Sequence, residues 1–302
     1  MIPKTLKGDF KSMRVRNVYL MGTAYCGSTL LGNALNGHQL INYAGEIERL
    51  PGFNNANKIA MCPACMANKT PCPVWSKELI GKIAEAGPGR TLALYREVTQ
   101  TPIIVDGSKH AYWLRDVHVH GGISTDTIAI ISVRSPFAFA NSLRRYDPHR
   151  EIWQGANLWR DTYFDILRTL GTLNIPRIIV RYEDFAFKPD NSLRRICGFL
   201  KIPFDHQMLS FWEQPIHAIG GNWGAYVWYK NSENLINFQP SKKNVTARKS
   251  YKTNKFGGWV DEKWRASLLP HEIRAILTTP GLMDIAAILG YDIGEILLKS
   301  QN

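Results

Sequence analysis

A glycine-bounded loop near the N-terminus constrains the fold more than any other segment of the chain. It follows an apolar run at residues 17–21, and its eight residues are Gly22-Thr23-Ala24-Tyr25-Cys26-Gly27-Ser28-Thr29. Apolar residues at helical spacing come next, so the pattern predicts a buried strand, a tight loop and a helix. In phosphate-binding loops of this layout, backbone N–H groups and the helix N-terminus face an anion. Nucleoside triphosphatases have a lysine where this chain has Ser28, so the loop predicts a phosphate site for a donor other than ATP or GTP.

The charge of the chain favours an anionic partner. The 302 residues include 37 Lys and Arg against 25 Asp and Glu, a formal net charge of +12. Such a balance is typical of proteins that bind nucleic acid, acidic membranes or polyanionic nucleotides. The positive charges are spread along the sequence, without a lysine run or an arginine–glycine segment. We therefore expect a basic active-site cleft and no nucleic-acid partner.

Nothing in the sequence predicts secretion or a membrane span. Residues 1–9 lack the apolar core of a signal peptide, and no apolar run reaches the length that crosses a bilayer. The five cysteines are an odd number and do not suggest a full disulfide framework. We therefore expect a cytoplasmic protein without membrane insertion.

Short apolar runs alternate with longer helical patterns along the first two thirds of the chain, which predicts parallel strands joined by crossover helices. The predicted strands are residues 18–21, 41–44, 102–106, 127–133 and 177–181. The predicted helices are residues 27–36, 75–85, 112–118, 137–144, 152–170 and 191–200. The fold class is thus α/β: a P-loop-like three-layer fold with a central parallel β-sheet flanked by helices.

The last third is less regular. Residues 220–224 and 239–254 are predicted to be long loops that could fold over a site, and helical patterns follow at 262–268, 271–277 and 286–298. No repeat, low-complexity tract or linker divides the chain. We expect one domain over residues 1–302, with its core at about 16–205.

A second anion site is predicted after the strand at residues 127–133. Arg134 ends this strand, and open α/β sheets place their ligands at the ends of strands. Ser142 follows eight residues later, a little over two helical turns, and a bend at Pro136 could bring the two side chains together. A guanidinium fork with a hydroxyl suits a phosphate. The alternative is that Arg134 pairs with a surface carboxylate.

Taken in order, these motifs resemble the sulfotransferases that use 3′-phosphoadenosine 5′-phosphosulfate (PAPS), most closely the bacterial and tyrosylprotein-type branch. Three further segments carry the resemblance: Ala44-Gly45-Glu46, Val105-Asp106-Gly107-Ser108-Lys109, and Arg181-Tyr182-Glu183-Asp184 followed by Phe199-Leu200. The resemblance covers residues 17–204 well and the remainder loosely. Residues 206–302 would then complete the donor and acceptor pockets.

The resemblance implies transfer of a sulfuryl group from PAPS to a hydroxyl or amine, with 3′,5′-ADP as the other product. The loop at residues 22–29 would bind the 5′-phosphosulfate, and Arg134 with Ser142 would bind the 3′-phosphate. Catalysis would need no metal. A small-molecule acceptor, such as a natural product, sugar or lipid, is expected. A P-loop kinase and a non-catalytic nucleotide- or polyanion-binding protein of the same fold are the alternatives.

The chain departs from the family pattern at Tyr25, where an arginine or lysine usually contacts the bridging oxygen. A phenol donates one hydrogen bond and brings no positive charge. We expect Lys109, at the end of a predicted strand, to stabilise the transferring group instead. Two alternatives stay open: Tyr25 marks weakened catalysis, or Lys109 is a surface lysine.

Glu46 is the first candidate for the general base, provided that burial raises its pKa towards neutrality, and His110 is the second. Arg248 and Lys249 could help to hold the 3′-phosphate. The aromatic residues Trp223, Tyr226, Trp228 and Tyr229 could line the acceptor or adenine pocket or pack in the core.

Three cysteines form a Cys62-x2-Cys65-x6-Cys72 cluster. Free thiols in a packed loop are the favoured interpretation. A structural metal is a second possibility if a histidine or cysteine from elsewhere supplies a fourth ligand. A disulfide is the third, although a reducing cytoplasm disfavours it.

Overall fold

Five parallel strands form the central sheet. The computed structural model describes residues 15–50, 62–229 and 256–298. The strands are β1 (Arg16–Met21), β2 (Ile41–Gly45), β3 (Ile103–Lys109), β4 (Thr127–Val133) and β5 (Arg177–Arg181). They pair in the order β2-β3-β1-β4-β5, and every pairing is parallel. Because parallel neighbours need a crossover, helices connect the strands, and the predicted α/β class is confirmed.

Helices lie between the strands and after the last of them. They are α1 (Ser28–Asn36), α2 (Pro63–Ala67), α3 (Lys77–Ala86), α4 (Thr91–Thr99), α5 (Ala111–Val119), α6 (Pro136–Tyr146), α7 (Ile152–Thr172), α8 (Tyr182–Phe187), α9 (Pro189–Leu200), α10 (Trp264–Ser267), α11 (Pro270–Leu277), α12 (Leu282–Ile288) and α13 (Ile293–Leu298). Short 3-10 helices occur at Ile47–Arg49, Pro88–Arg90, His206–Glu213 and Trp223–Tyr226.

The sheet buries both of its faces. Successive side chains of β1 point to opposite sides, as the period of a strand requires. Val18 and Leu20 pack in a core with α1 and α9, whereas Tyr19 and Met21 pack in a second core with α5, α6 and α7. All four side chains are almost fully buried. This explains why residues 18–21 of β1 form a continuous apolar run, as is typical of a central parallel strand.

Helix α7 covers the second face. Its buried positions recur at helical spacing and include Trp159, Tyr163 and Ile166, while charged residues such as Asp161 and Arg168 occupy its other side. None of the helices in the part of the chain that the structure describes is long and apolar enough to cross a membrane.

The predicted strands are confirmed within a few residues, but the helix predictions are incomplete. Helices α2, α4 and α8 were not predicted. The single helix predicted at residues 286–298 is wrong, because α12 ends at Ile288 and α13 begins only at Ile293. Gly290 lies between them with φ of 81°, a left-handed conformation that ends helices. The predicted loop at 239–254 lies outside the described residues.

A buried carboxylate supports the end of β3. Asp106 accepts hydrogen bonds from Trp113 Nε1 at 2.7 Å and from the backbone N–H of Ser108 at 2.8 Å. Ser108 Oγ in turn accepts a bond from the backbone N–H of Glu48 at 3.1 Å. Burial raises the pKa of Asp106 to about 6, although these hydrogen bonds act in the opposite direction.

This raised pKa predicts a defined pH dependence of stability. The contribution of Asp106 is fully present below the pKa of the unfolded chain, near 3.8, and is lost as the pH rises through about 6. The Asp106→Asn variant has an amide at this position, which cannot titrate. The unfolding free energy of the wild type should therefore increase relative to that of the variant as the pH falls from 6 to 4. Urea unfolding at several pH values measures this difference. A constant difference across the range would contradict the assignment.

Candidate functional site

The carboxyl ends of four strands meet at a cleft of about 230 Å³. The phosphate-binding loop follows β1, Glu46 follows β2, Lys109 ends β3 and Arg134 follows β4. Open α/β sheets bind their ligands at this edge. The predicted site residues among those lining the cleft are Ala24, Tyr25, Gly27, Ser28, Thr29, Glu46, Lys109, His110, Arg134 and Ser142.

The loop between β1 and α1 depends on close backbone packing. A Cβ atom on Gly22 would lie 2.4 Å from the carbonyl oxygen of Ser132, so only glycine fits there. Gly27 has φ of 85°, and a Cβ on it would lie 2.6 Å from the ring of Tyr182. Helix α1 begins at Ser28 without a side-chain cap. Its first N–H groups are therefore left for another acceptor, as an anion site requires.

Three loop residues lie beneath the cleft surface. Gly22, Thr23 and Cys26 are buried, and none of them lines the cleft. The backbone N–H of Thr23 donates to the Tyr163 hydroxyl at 3.4 Å, and the carbonyl of Cys26 accepts from Ser132 Oγ at 3.0 Å. These residues fix the shape of the loop, while its other members face the cleft.

Tyr25 is held by stacking. Its φ of 62° is left-handed, which is unusual for a residue other than glycine, and its ring lies 5.1 Å from the ring of Tyr146 at an angle of 13°. Burial raises the pKa of the Tyr25 phenol, so this side chain stays neutral. The loop thus contributes no cation at this position.

Lys109 supplies a cation next to the loop. It ends β3 with φ of 70°, and the backbone N–H of Gly22 donates to its carbonyl at 3.2 Å. Its Nζ donates to Glu46 Oε1 and to the carbonyl of Gly107, the latter at 3.4 Å. Lys109 is only 8% exposed, so it is not a surface lysine.

Glu46 lies between two cations. Lys109 Nζ contacts one carboxylate oxygen, and Arg49 Nε lies 2.5 Å from the other. Burial by itself raises the pKa of Glu46, but the charges of Lys109 and Arg49 outweigh it and hold the pKa below its usual value. The upward shift that the sequence argument required of a base is therefore not present while this ion pair is intact.

His110 pairs with Glu48, a residue that the sequence analysis did not single out. Its Nδ1 lies 2.7 Å from Glu48 Oε1, and the Tyr112 hydroxyl donates to Glu48 Oε2 at 2.9 Å. Glu48 is buried, whereas the His110 side chain is 41% exposed. A carboxylate on one ring nitrogen orients the imidazole and leaves the other nitrogen for proton transfer. The only sequence signal for Glu48 was its position two residues after Glu46.

The structure brings Arg134 and Ser142 together as predicted. Arg134 Nη1 lies 3.4 Å from Ser142 Oγ and 3.4 Å from the carbonyl of Tyr25, so it connects this site to the loop. Arg145, not predicted, donates to the same Ser142 Oγ at 3.3 Å. Trp159 Nε1 donates to the carbonyl of Arg134 at 2.8 Å and fixes its backbone.

A carboxylate occupies this arginine pair. Asp261 Oδ2 lies 3.2 Å from Arg134 Nη2 and 3.6 Å from Arg145 Nη2. Burial by itself raises the pKa of Asp261. The charge of Arg134, helped by other nearby cations, outweighs this effect, so the pKa of Asp261 lies below its usual value. The Nε atoms of Arg134 and Arg145 are buried without a partner among the described residues. Asp261 thus neutralises part of the positive charge of this arginine pair.

The segment at residues 220–222 closes one side of the cleft, in agreement with the prediction of a loop over the site. The backbone N–H of Asn222 donates to Thr29 Oγ1 at 2.9 Å. Just before it, Ile219 exchanges backbone hydrogen bonds with Ala44 and Glu46, at 2.9 and 2.7 Å. This segment therefore joins the start of α1 to the end of β2.

Two sequence hypotheses about pocket residues are not reflected in the residues that line the cleft. Tyr226 is fully buried, and Trp228 and Tyr229 pack against the same core, so these three aromatic residues pack and do not line the cleft. Arg248 and Lys249 lie outside the described residues.

Replacing Asp261 tests whether it competes with an anion. In Asp261→Asn the two arginines lose their carboxylate partner, so 3′,5′-ADP should bind about tenfold more tightly, or about 1.4 kcal/mol. Isothermal titration calorimetry of both proteins measures the change. Asp165→Asn is the matched control, because Asp165 pairs with Arg115 outside the cleft. Equal or weaker binding by the Asp261 variant would count against the competition.

Comparison with known proteins bears on the fold. No protein-family model and no curated protein matches the chain. The sulfotransferase domain from the curacin biosynthetic pathway aligns with a TM-score of 0.58 at 18% sequence identity, over 93% of this chain and 99% of that one. The sulfotransferase domain from the Synechococcus PCC 7002 olefin synthase aligns with a TM-score of 0.58 at 19% identity, over 95% of this chain and 100% of that one. The resemblance found in the sequence is thus confirmed at the level of the fold: this chain has the fold of sulfotransferase domains.

Proposed function

We propose that this protein is a sulfotransferase that transfers a sulfuryl group from PAPS to a hydroxyl or amine of a small-molecule acceptor. One observation carries the proposal. Arg134 contacts both Ser142 and the carbonyl of Tyr25, so the two elements predicted to bind anions lie side by side in one cleft. A nucleotide with a 5′-phosphosulfate and a separate 3′-phosphate needs such a pair. The fold of the aligned sulfotransferase domains supports the same donor.

The residues present fit this donor. The first N–H groups of α1 would bind the 5′-phosphate, and Arg134, Arg145 and Ser142 would bind the 3′-phosphate in place of Asp261. When bound, PAPS supplies a sulfuryl group on a phosphate leaving group. Catalysis of such a transfer rests on positioning and on charge stabilisation.

Lys109 is the residue best placed to stabilise negative charge on the transferring group. The neutral Tyr25 brings no positive charge. Lys109 lies against the loop, and its buried carboxylate partner among the described residues is Glu46. We propose that Lys109 moves from Glu46 to the sulfuryl oxygens. Glu46 then loses one of its two cations, and its pKa rises. Glu46 could accept the acceptor's proton in this state, with His110 as the second candidate.

Two other functions have less support. A P-loop kinase needs a loop lysine at position 28 and carboxylates free to hold magnesium, but Glu46 and Asp261 are engaged by cations. A non-catalytic nucleotide-binding protein would not require a buried Lys109–Glu46 pair in the cleft. The two aligned domains are named for a biosynthetic pathway and an olefin synthase, which supports a small-molecule acceptor. A cytoplasmic location and the absence of a nucleic-acid partner remain part of the proposal.

Ligand binding tests the donor. We expect 3′,5′-ADP to raise the melting temperature and ATP with Mg²⁺ to leave it unchanged, because binding to the native state alone stabilises it. Stabilisation by ATP–Mg²⁺ alone would point to a kinase. No response to 3′,5′-ADP would overturn the proposed donor.

Transfer of labelled sulfate from PAPS to a panel of hydroxyl and amine acceptors tests catalysis. Removing the Lys109 amine in Lys109→Ala should lower kcat by about 10²- to 10³-fold, as expected for loss of one charge-stabilising donor. Lys82→Ala is the control, because Lys82 pairs with Glu78 on the exposed side of α3. An unchanged kcat in Lys109→Ala would show that another group stabilises the transferring charge.

The pH profile separates the two candidate bases. The pKa of Glu46 in the free protein lies below the usual value, so kcat/KM should fall only at acid pH if Glu46 is the base. Glu46→Gln should then lower kcat by about 10²- to 10⁴-fold and remove this acidic limb. His110→Gln should keep the limb. The reverse result would assign the proton transfer to His110.

A further inference from the structure

Four metal-binding side chains converge outside the cleft. They are Cys62 and Cys65 at the start of α2, Cys72 in the segment after it, and His217 after the 3-10 helix at His206–Glu213. One ligand atom from each residue lies within 4.8 Å of every other. Cys62 and Cys65 are 4% and 7% exposed, and Cys72 and His217 are partly buried. The sequence alone could not identify the fourth member, because 145 residues separate Cys72 from His217.

The distances within this cluster match a tetrahedral metal site. His217 Nδ1 lies 3.7 Å from Cys62 Sγ, 3.4 Å from Cys65 Sγ and 3.6 Å from Cys72 Sγ. A tetrahedral zinc with Zn–S of about 2.3 Å and Zn–N of about 2.0 Å separates sulfur from nitrogen by about 3.5 Å. The three separations agree with this value.

Hydrogen bonding alone does not account for the arrangement. An imidazole nitrogen has one lone pair, so it can accept from only one of the three thiols. A disulfide does not account for it either, because all three cysteines are free and a single pairing would leave the third sulfur and the histidine without a role. One cation at the centre would satisfy all four groups together.

We propose that Cys62, Cys65, Cys72 and His217 form a Cys3His site that binds one structural Zn²⁺ ion. Three thiolates and an imidazole select a borderline-soft cation that accepts tetrahedral geometry, whereas Mg²⁺ and Ca²⁺ require oxygen ligands. Four protein ligands fill the coordination shell of zinc. The site therefore has no open position for a substrate and is structural. This assignment does not depend on the proposed sulfuryl transfer.

Outer contacts support the ligands. The backbone N–H of Trp75 donates to Cys72 Sγ at 3.3 Å and so helps to fix the position of this sulfur. Trp75 Nε1 also donates to the carbonyl of His217. The same tryptophan thus orients two ligands from distant parts of the chain, as outer partners do in metal sites.

The cluster is connected to the cleft through the segment that follows His217. His217 lies two residues before Ile219, whose backbone bonds to Ala44 and Glu46. Asn222, three residues further, donates to Thr29 at the start of α1. Zinc at His217 would therefore anchor the segment that joins Glu46 to the phosphate-binding loop.

Metal analysis of the full chain tests the site. Protein purified from zinc-containing medium should hold about one zinc per chain. Reconstitution with Co²⁺ should give the strong visible absorption of tetrahedral cobalt with thiolate ligands. Less than about a tenth of a zinc per chain together with no such absorption would overturn the proposal. Both measurements use the wild-type protein and need no variant to fold.

Variants locate the ligands. Cys65→Ser and His217→Ala should bind zinc at least about tenfold more weakly in competition with a chromophoric chelator. Cys197→Ser is the control, because Cys197 is a buried free cysteine that packs against Met208 in the other core. Equal loss of zinc in the control would mean that the metal binds thiols without a defined site.

Hydrogen exchange tests the fastening role. Removal of zinc by a chelator should speed exchange of the backbone amides of Glu46 and Ile219, with no change at Ile130 in β4. If the exchange rates of the Glu46 and Ile219 amides are the same before and after chelation, the connection to the cleft is refuted.

Discussion

The buried ion pair between Lys109 and Glu46 is the interaction on which the cleft depends. It joins the ends of two adjacent strands, β3 and β2, where the sheet opens to its ligand edge. A charge removed from water is unfavourable unless it is paired, and loss of one partner of a buried pair typically costs about 3–5 kcal/mol. Each residue therefore holds the other in place. Arg49 adds a second cation from the rim and keeps the carboxylate ionised.

The left-handed conformation of Lys109 follows from this position. The register between β1 and β3 shifts just before Lys109 pairs with Met21. In a regular strand, side chains point alternately to the two faces of the sheet. The irregularity before Lys109 changes the direction of the Lys109 side chain, as β-bulges near functional sites do. The backbone bond from Gly22 to the Lys109 carbonyl then ties the loop to the same residue. Loop and cation are thus placed by one distortion of the sheet.

Local patterns predicted the parts of the molecule whose physics is local. The apolar runs of the strands predicted the sheet, and the glycines after β1 predicted the tight loop. The spacing of Arg134 and Ser142 predicted that their side chains meet. The break at Gly290 was missed, because apolar spacing continues across it.

The missed site residues depend on contacts between distant segments. Asp261 follows β4 by more than a hundred residues, so no spacing rule connects it to Arg134. The direction of the Glu46 pKa shift needed the positions of Lys109 and Arg49, since burial alone acts the other way. His217 joined the three cysteines for the same reason: only the folded chain brings them together.

For the sulfotransferase activity proposed above, the position of Asp261 would have a consequence for the rate of turnover. A carboxylate that rests between Arg134 and Arg145 lowers the energy of the ligand-free state, so part of the binding energy of the proposed nucleotide would go into moving it aside. The same side chain can return as soon as the nucleotide begins to leave. In a transferase limited by departure of its spent nucleotide, a built-in rival of this kind shortens the residence time of the product. Through this one residue, the protein would bind its nucleotide less tightly and release the product faster.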